Sequence, residues 1–338
     1  MRFPDQVEKK TREEIKKLKG PILVFGAGGF IGINLLQTLL QQRKDVYGIS
    51  QNPKNNWRFI ATQIPLAHLL GCDITEITQV ERVIQKIKPQ TIFNLAAYGS
   101  YSKQEEYKKI YPTNFNSAID IIEIAKIYGF SAYIYSGSQS EYGLNCAGPK
   151  EQTELSPNSH YAVSKTAAYY SLKYYGKIEK LPIIHFRLYS AYGPWEEPDR
   201  LIPMIVQKGR HKTYPPLVQP HVSRDFIYIS DIVRAFIKSA AHMKPAYYGE
   251  AFNIGTGIKT TIKELAFKIK KICQIPSEPT FGRMPNRSWD LTDWYGNIEK
   301  AGKDLHWQPQ VSLAEGLEKT IQWQEDVGYD TAFWNWTK

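Results

Sequence analysis

The sequence predicts an α/β protein: a doubly wound parallel sheet with a smaller C-terminal substrate-binding domain. Three observations predict it. Short apolar runs alternate with helix-like segments up to about residue 190, the pattern of a parallel sheet covered on both faces. The first of these runs, in PILVFGAGGFIG, breaks into closely spaced glycines between residues 26 and 32. After Pro194 the texture changes, and Pro198, Pro203, Pro215, Pro216 and Pro220 mark loops and a more irregular region.

Residues 1–19, with Val7, Ile15 and Leu18 as their few apolar positions, read as an amphipathic helical extension standing outside the sheet's own fold. Ile22–Phe25 reads as the first strand and Ile31–Gln41 as the helix after it. Asp45–Ile49 is a second strand and Thr78–Ile87 a helix. Strands Thr91–Ala96 and Ala132–Tyr135 follow, with the helix Ile119–Tyr128 between them. A helix around Lys165 leads to the strand Ile183–Leu188. Beyond the prolines, a strand Asp225–Ile229, a helix Ile232–Ala241, a strand near Phe252–Ile254 and a helix Ile262–Ile272 complete the pattern.

Composition narrows the function classes. At 338 residues, with 42% hydrophobic and 22% charged residues, the chain can bury a sizeable core and is not disordered. No stretch reaches the roughly 18 apolar residues needed to cross a bilayer. The mixed-charge start lacks the apolar centre of a secretory signal. Three cysteines without metal-ligand spacing fit a reducing cytoplasm, and no metal is expected. The net charge of +10 is spread along the chain without a basic block, which argues for an anionic small substrate rather than nucleic acid.

The glycines at 26, 29 and 32 have the spacing G-x-x-G-x-x-G, directly between a strand and a helix. A tight turn, close backbone approach and a helix start with free amides make Gly26, Gly29, Phe30, Ile31 and Gly32 a candidate pyrophosphate cradle for a nicotinamide dinucleotide, as in a Rossmann-type fold. At the end of the second strand, VYGISQNPKNNWR has Ser50, Gln51 and Asn52 where an acidic residue would bind the ribose 2′-hydroxyl. With Lys54 and Arg58 just beyond, the stretch favours NADP over NAD, and Ser50 and Asn52 become candidate cofactor contacts. Asp73 and Ile74 are placed for the adenine edge, although Asp73 would look the same as a helix cap.

The reacting groups are read from HYAVSKTAAYY. Tyr161 and Lys165 stand four residues apart, on one helix face. A phenol with a pKa of about 10 is a poor base at neutral pH, and a neighbouring ammonium favours its phenolate. Upstream, YSGSQSEYG offers Ser136, Ser138 and Ser140 at a strand end, where a hydroxyl could bond the reacting oxygen. With 22 tyrosines in the chain one Tyr-x-x-x-Lys match means little, but together with the glycine turn it is specific.

In order, GAGGFIG, CDI, NLAAYG, PTNFNSA, SGSQSEYG, YAVSK, RLYSAYGP, RDFIYISD and FNIGTG run through the chain. On these motifs, from about Gly20 to Trp323, the chain resembles the extended short-chain dehydrogenase/reductases, specifically the nucleotide-sugar epimerase/dehydratase family. The resemblance implies Tyr161 as acid/base, Lys165 as the residue that lowers its pKa and holds the ribose, and Ser138 as the hydroxyl partner of the sugar. It implies Leu95, Ala96 and Ala97 along the cofactor and Asn114 as a structural or relay residue there. It also implies a nucleotide-diphosphate sugar as partner and a homodimer. The domains are then residues 1–19 as extension, 20–190 for NAD(P), with contributions from about 222–258, and 191–338 mainly for the sugar nucleotide.

Departures from the family pattern matter. Asn94 stands where His is frequent. Ser190 replaces an Asn that binds the diphosphate in many members, leaving that contact open. Gln139-Ser140 replaces the Asp-Glu pair of the 4,6-dehydratases, and an amide and a hydroxyl cannot act as that acid and base. Glu141 is one position further on, facing the other way, and is no substitute. Ser138, Gln139 and Ser190 remain candidate sugar contacts. Arg224 and Arg287 match positions that clamp the diphosphate, Arg283 and Arg200 less so. Tyr214 or Trp289 could stack on the base, which nothing specifies, and Trp334 and Trp336 are expected to pack on the body. The expected reaction is hydride transfer at the sugar C4. Epimerase and 4-keto-reductase outcomes are nearly level, and a 4,6-dehydratase or a non-catalytic dinucleotide-binding redox sensor is disfavoured.

Overall fold

Ile22–Phe25 is an uninterrupted run of buried residues, and its side chains alternate between two cores. Ile22 and Val24 join one apolar cluster while Leu23 and Phe25 join the other, so helices must cover both faces of the sheet this strand enters. The computed structural model describes residues 7–101, 104–284 and 292–329. Its strands begin with β1 (Ile22–Phe25), β2 (Val46–Ser50), β3 (Leu69–Gly71), β4 (Thr91–Asn94), β5 (Ala132–Ser138) and β6 (Ile183–Leu188). They continue with β7 (Ser190–Tyr192), β8 (Ser223–Arg224), β9 (Phe226–Tyr228), β10 (Glu250–Ile254) and β11 (Thr260–Thr261).

The central sheet has seven parallel strands in the order β10-β6-β5-β4-β1-β2-β3. This is the doubly wound Rossmann-like arrangement expected from the sequence. The direction of winding reverses between β1 and β4, and the crevice at their carboxyl ends is where such sheets bind ligands. Helices Phe30–Leu40 and Ile229–Ala241 pack on one face, through residues such as Leu36 and Ile232. Helices Ile77–Ile87, Ser117–Tyr128 and His160–Lys177 cover the other, through Ile84, Ile121 and Leu172.

The helix Lys9–Lys17 of the N-terminal extension lies against Ile229–Ala241 and buries Ile15 completely. Arg43 fastens it from the sheet side by donating to the Leu18 carbonyl at 2.5 Å. The extension is thus continuous with the core on that face.

The second unit gathers helices Leu201–Arg210, Ile262–Cys273 and Leu313–Asp326 beside two small ladders, β7 with β9 and β8 with β11. Buried Asp225, between β8 and β9, ties this unit together by accepting from the amides of Thr256 at 2.7 Å and Gly257 at 2.9 Å. Asp231 does the same for the backbone of Gln310 at 3.0 Å and Val311 at 3.1 Å. Truncating a fully buried Ile removes both its transfer energy and its packing. Ile15→Ala is therefore expected to destabilise the folded protein by about 2–5 kcal/mol in denaturant titration, although it lies outside the sheet.

Candidate active site

The glycine turn is shaped by close approach. Gly26 has φ +73°, and a Cβ there would come within 2.6 Å of the Ala96 amide nitrogen at the end of β4. A Cβ on Gly32 would collide with the Gly26 carbonyl, so only glycine lets the helix Phe30–Leu40 sit this tightly on the turn. Gly29 caps the helix Phe30–Leu40 without any side-chain hydrogen bond, leaving its first amides free of a protein side-chain acceptor. Phe30 and Ile31 stand half-buried at that helix start. The cradle suits a dinucleotide pyrophosphate. Leu95 is half-buried, Ala96 buried and Ala97 exposed along the adjoining strand end, and Asn94 is engaged with Ala96 and the Tyr133 phenol.

The end of β2 corrects one expectation. Arg58 is not available to a ribose phosphate: it is 3% exposed and bonded inside the protein. Its guanidinium donates to the carbonyls of Trp195 at 2.8 Å and Gly28 at 3.2 Å, and pairs with Glu197 at 2.8 Å. Of the two cations that favoured NADP, only Lys54 is exposed. Ser50 is half-buried near Gly28 and Asn52 exposed. Asp73 accepts from Gln51 at 2.7 Å and from the Thr75 amide at 3.0 Å, so it stabilises its own turn, with Ile74 half-buried beside it.

Three predicted reacting groups come together at the end of β5 and the start of helix His160–Lys177, which Ser159 caps through the Ala162 amide. The Tyr161 phenol hydrogen-bonds with Ser138; burial pushes its pKa up to about 12, and that bond works against the rise. Lys165 is wholly buried and donates to the Tyr135 phenol at 3.1 Å and the Ser136 carbonyl at 2.8 Å. Burial pulls its pKa down to about 7, against the opposing charge of Glu141. Asn114, also wholly buried, clamps two elements: its side chain accepts from the Tyr98 amide and donates to the Tyr98 carbonyl and the Ser164 hydroxyl.

Ser138 is held from behind by Glu141, which accepts from the Ser138 amide at 2.8 Å. That carboxylate is itself fully buried between His185 at 2.9 Å and Arg187 at 2.8 Å. Burial opposes its charge, but these two partners outweigh burial and keep the carboxyl below its ordinary range. Glu141 therefore faces inward and offers no acid or base to the cleft. Gln139 and Ser190 are brought together, the amide donating to the hydroxyl at 3.3 Å, and Ser140 donates to Ser138 at 2.8 Å.

Glu196, buried in the loop after Pro194, is not marked out by the sequence. Burial raises its pKa to about 8, against the nearby Arg200 guanidinium at 4.0 Å. Arg200 also covers the Tyr101 ring at 4.6 Å, and its charge reaches Tyr161. A glutamate in a loop carries no signal of burial, so pattern alone could not have found it. Arg224 lies over the Trp294 ring at 4.5 Å, and Arg283 is exposed. Tyr214 is half-buried. Arg287, Trp289, Trp334 and Trp336 lie outside the described residues. Among the described residues there is no His, Cys, Asp and Glu group that could hold a metal, and no helix long and apolar enough to cross a membrane.

The sequence model of the "NAD dependent epimerase/dehydratase family" matches residues 22–255, well over half of the chain. The chain belongs to that family. It is similar to the UDP-glucose 4-epimerase of Mycolicibacterium smegmatis, at 30% identity over 89% of this chain and 97% of the relative. Among solved structures it resembles the UDP-glucose 4-epimerase of Thermotoga maritima with UDP-glucose, at 26% identity and a TM-score of 0.81 over 90% of this chain and 98% of that one. The dTDP-glucose 4,6-dehydratase of Bacillus anthracis in complex with NAD gives 26% identity and a TM-score of 0.77, over 90% of this chain and 96% of that one. The family assignment carries an NAD-dependent enzyme acting on nucleotide sugars.

The buried lysine has a thermodynamic signature. Its folded pKa, about 7, lies below the ordinary 10.5, so the unfolded chain binds the extra proton between those values. Below pH 7 the penalty of burying the ammonium is fully present, and it disappears as the pH climbs toward 10.5. Relative to Lys165→Met, the wild type is expected to gain stability across that window in denaturant titrations run at successive pH values.

Proposed function

We propose that this chain is an NAD-dependent 4-epimerase of a nucleotide-diphosphate sugar. One observation carries the reading: the Ser138 hydroxyl, the Tyr161 phenol and Lys165 converge, while positions 139 and 140 hold an amide and a hydroxyl instead of an acid and a base. That arrangement supports proton transfer at a single hydroxyl and withholds the pair an elimination would need. A nicotinamide dinucleotide, when bound, supplies the hydride acceptor and donor. Tyr161 takes the proton from the sugar hydroxyl and returns it after the 4-keto sugar has turned its other face. Ser138 holds the reacting oxygen, and the Lys165 ammonium favours the phenolate.

The glycine turn, with Gly26, Gly29, Phe30, Ile31 and Gly32, would hold the pyrophosphate, and Leu95, Ala96 and Ala97 the adjoining length of the dinucleotide. Ser50, Asn52, Asp73 and Ile74 are assigned to its adenosine end, and Asn114 positions the strand ends around it. We read the cofactor as NAD, because Arg58 is engaged with Gly28, Trp195 and Glu197 and so is not available to a 2′-phosphate. Gln139 and Ser190 would face the sugar, with Arg224 and Arg287 for the diphosphate.

A homodimer is part of the reading. Helix His160–Lys177 exposes Val163, Tyr170 and Tyr174, and Ile127 stands out on the neighbouring helix. Such a cluster suits a second copy of the same surface. Tyr170→Asp combined with Tyr174→Asp is expected to yield a monomer by sedimentation velocity.

For the chemistry, purified protein is expected to interconvert a nucleotide-sugar pair without added reduced cofactor, across a panel of sugar nucleotides. Tyr161→Phe should slow this by about 10²–10⁴-fold. Stoichiometric consumption of NADPH would replace the epimerase reading with a reductase, and equal turnover by Tyr161→Phe would remove the catalytic assignment.

A further inference from the structure

We infer that Tyr135 is a positioning residue of this site: its phenol bridges the main-chain carbonyl of Asn114 to Lys165 and so fixes where the lysine nitrogen stands beside Tyr161. Its bearing on turnover rests on the epimerase reading above, whereas the bridge itself does not.

The direction of every bond in the bridge is settled by chemistry. A carbonyl can only accept, and an ammonium can only donate. The Tyr135 hydroxyl therefore gives its single proton to the Asn114 carbonyl, at 2.5 Å, and its oxygen accepts from Lys165 Nζ at 3.1 Å. The Ser136 carbonyl takes a second lysine proton at 2.8 Å. With two of three ammonium protons engaged on β5, only one is left for the cleft.

The Asn114 carbonyl can take part because the chain widens there. Residues Pro112–Asn116 form a short stretch of π-helix between the helices Tyr107–Tyr111 and Ser117–Tyr128, interrupting the regular α-helical ladder. The Asn114 side chain is already engaged with Tyr98 and Ser164, so the main-chain carbonyl is what this residue offers to Tyr135.

The Tyr135 ring is confined as well. It is fully buried, stacks on His185 at 5.5 Å with 20° between planes, and lies 4.6 Å from Lys165 Nζ. The groups facing Lys165 are Tyr135 from β5, Tyr161 from its own helix, Glu141 from the turn after β5 and His185 from β6. Of these, Tyr135 alone both bonds the lysine nitrogen and ties it to a second element.

Tyr135→Phe keeps the ring and removes the bridge. The test follows the ε-carbon NMR shift of Lys165 through a pH titration of isotope-labelled, full-length protein, the signal being assigned by its loss in Lys165→Met. Losing an acceptor disfavours the ammonium, so the Lys165 midpoint is expected to fall by about one pH unit in Tyr135→Phe. Tyr133→Phe is the control. Tyr133 lies on the same face of the same strand and is equally buried, but its phenol accepts from Asn94 instead. It should leave the midpoint in place. Equal midpoints in Tyr135→Phe and wild type, or equal displacement by Tyr133→Phe, would overturn the inference.

In the wild type, the Tyr135 hydroxyl proton must shift along with the Lys165 midpoint. A resonance indifferent to that midpoint overturns the bridge even if the variant fails to fold. Absence of sugar interconversion by the wild type would count against the reaction assignment and leave this titration unaffected.

Discussion

An ammonium taken out of water must find acceptors in fixed positions, and Lys165 is a lysine with none of its surface exposed. The end of β5 supplies them through the Ser136 carbonyl and the Tyr135 phenol. The phenol in turn needs an acceptor of its own, which the widened helix at Asn114 provides. Asn114 then ties the chain after β4 to helix His160–Lys177 through Tyr98 and Ser164. The demands of one buried cation thus set the relative positions of two strand ends and two helices. These are the elements that carry Tyr161 and Ser138.

A second buried charge completes the same corner. Glu141 sits between His185 and Arg187 with no exposed surface, and the Ser138 amide is one of its donors. Arg187 extends the arrangement by donating to the Tyr142 phenol at 2.8 Å and the Glu151 carbonyl at 3.0 Å. Removing one member would strand a charge in the core, so the group is held as a unit. Gly137 belongs to it because a Cβ there would run into His185 and Glu141. The turn bearing Ser138 is therefore anchored by ion pairs beneath it, without help from a ligand.

Much of this was legible in the sequence because it depended on local spacing. The glycine turn, the four-residue step from Tyr161 to Lys165 and the alternation of strand and helix all follow from short-range periodicity. The sequence pattern ends β5 at Tyr135, three residues short of the strand, since Ser136-Gly137-Ser138 has little strand propensity. Pairing with Phe186, Arg187 and Leu188 of β6 carries the strand on to Ser138. Arg58 looked like a phosphate ligand because its partners, at Trp195 and Glu197, lie far along the chain. Tyr135 was one tyrosine among 22, and only tertiary packing sets its phenol apart. The N-terminal helix presented a face too sparse in apolar residues to announce a core, yet Ile15 and Leu18 are buried.

The electrostatics of the cleft follow from these placements. Burial favours the uncharged forms of Tyr161, Lys165 and Glu196 alike, raising the two acids and lowering the base. A site made only of such groups would sit neutral near pH 7 and could not hold a phenolate. The fixed carboxylate of Glu141 is the counterweight: its charge favours the Lys165 ammonium, although it also disfavours the Tyr161 phenolate. The two effects are separated by a hydrogen bond, because Ser138 lowers the Tyr161 pKa while being held in place by Glu141 itself. The same carboxylate thus supports the cation directly and offsets its own repulsion of the phenolate through the serine it positions. A neutral side chain of equal volume at position 141 would remove both effects together, so the ion-pair corner and the reacting groups form one electrostatic unit.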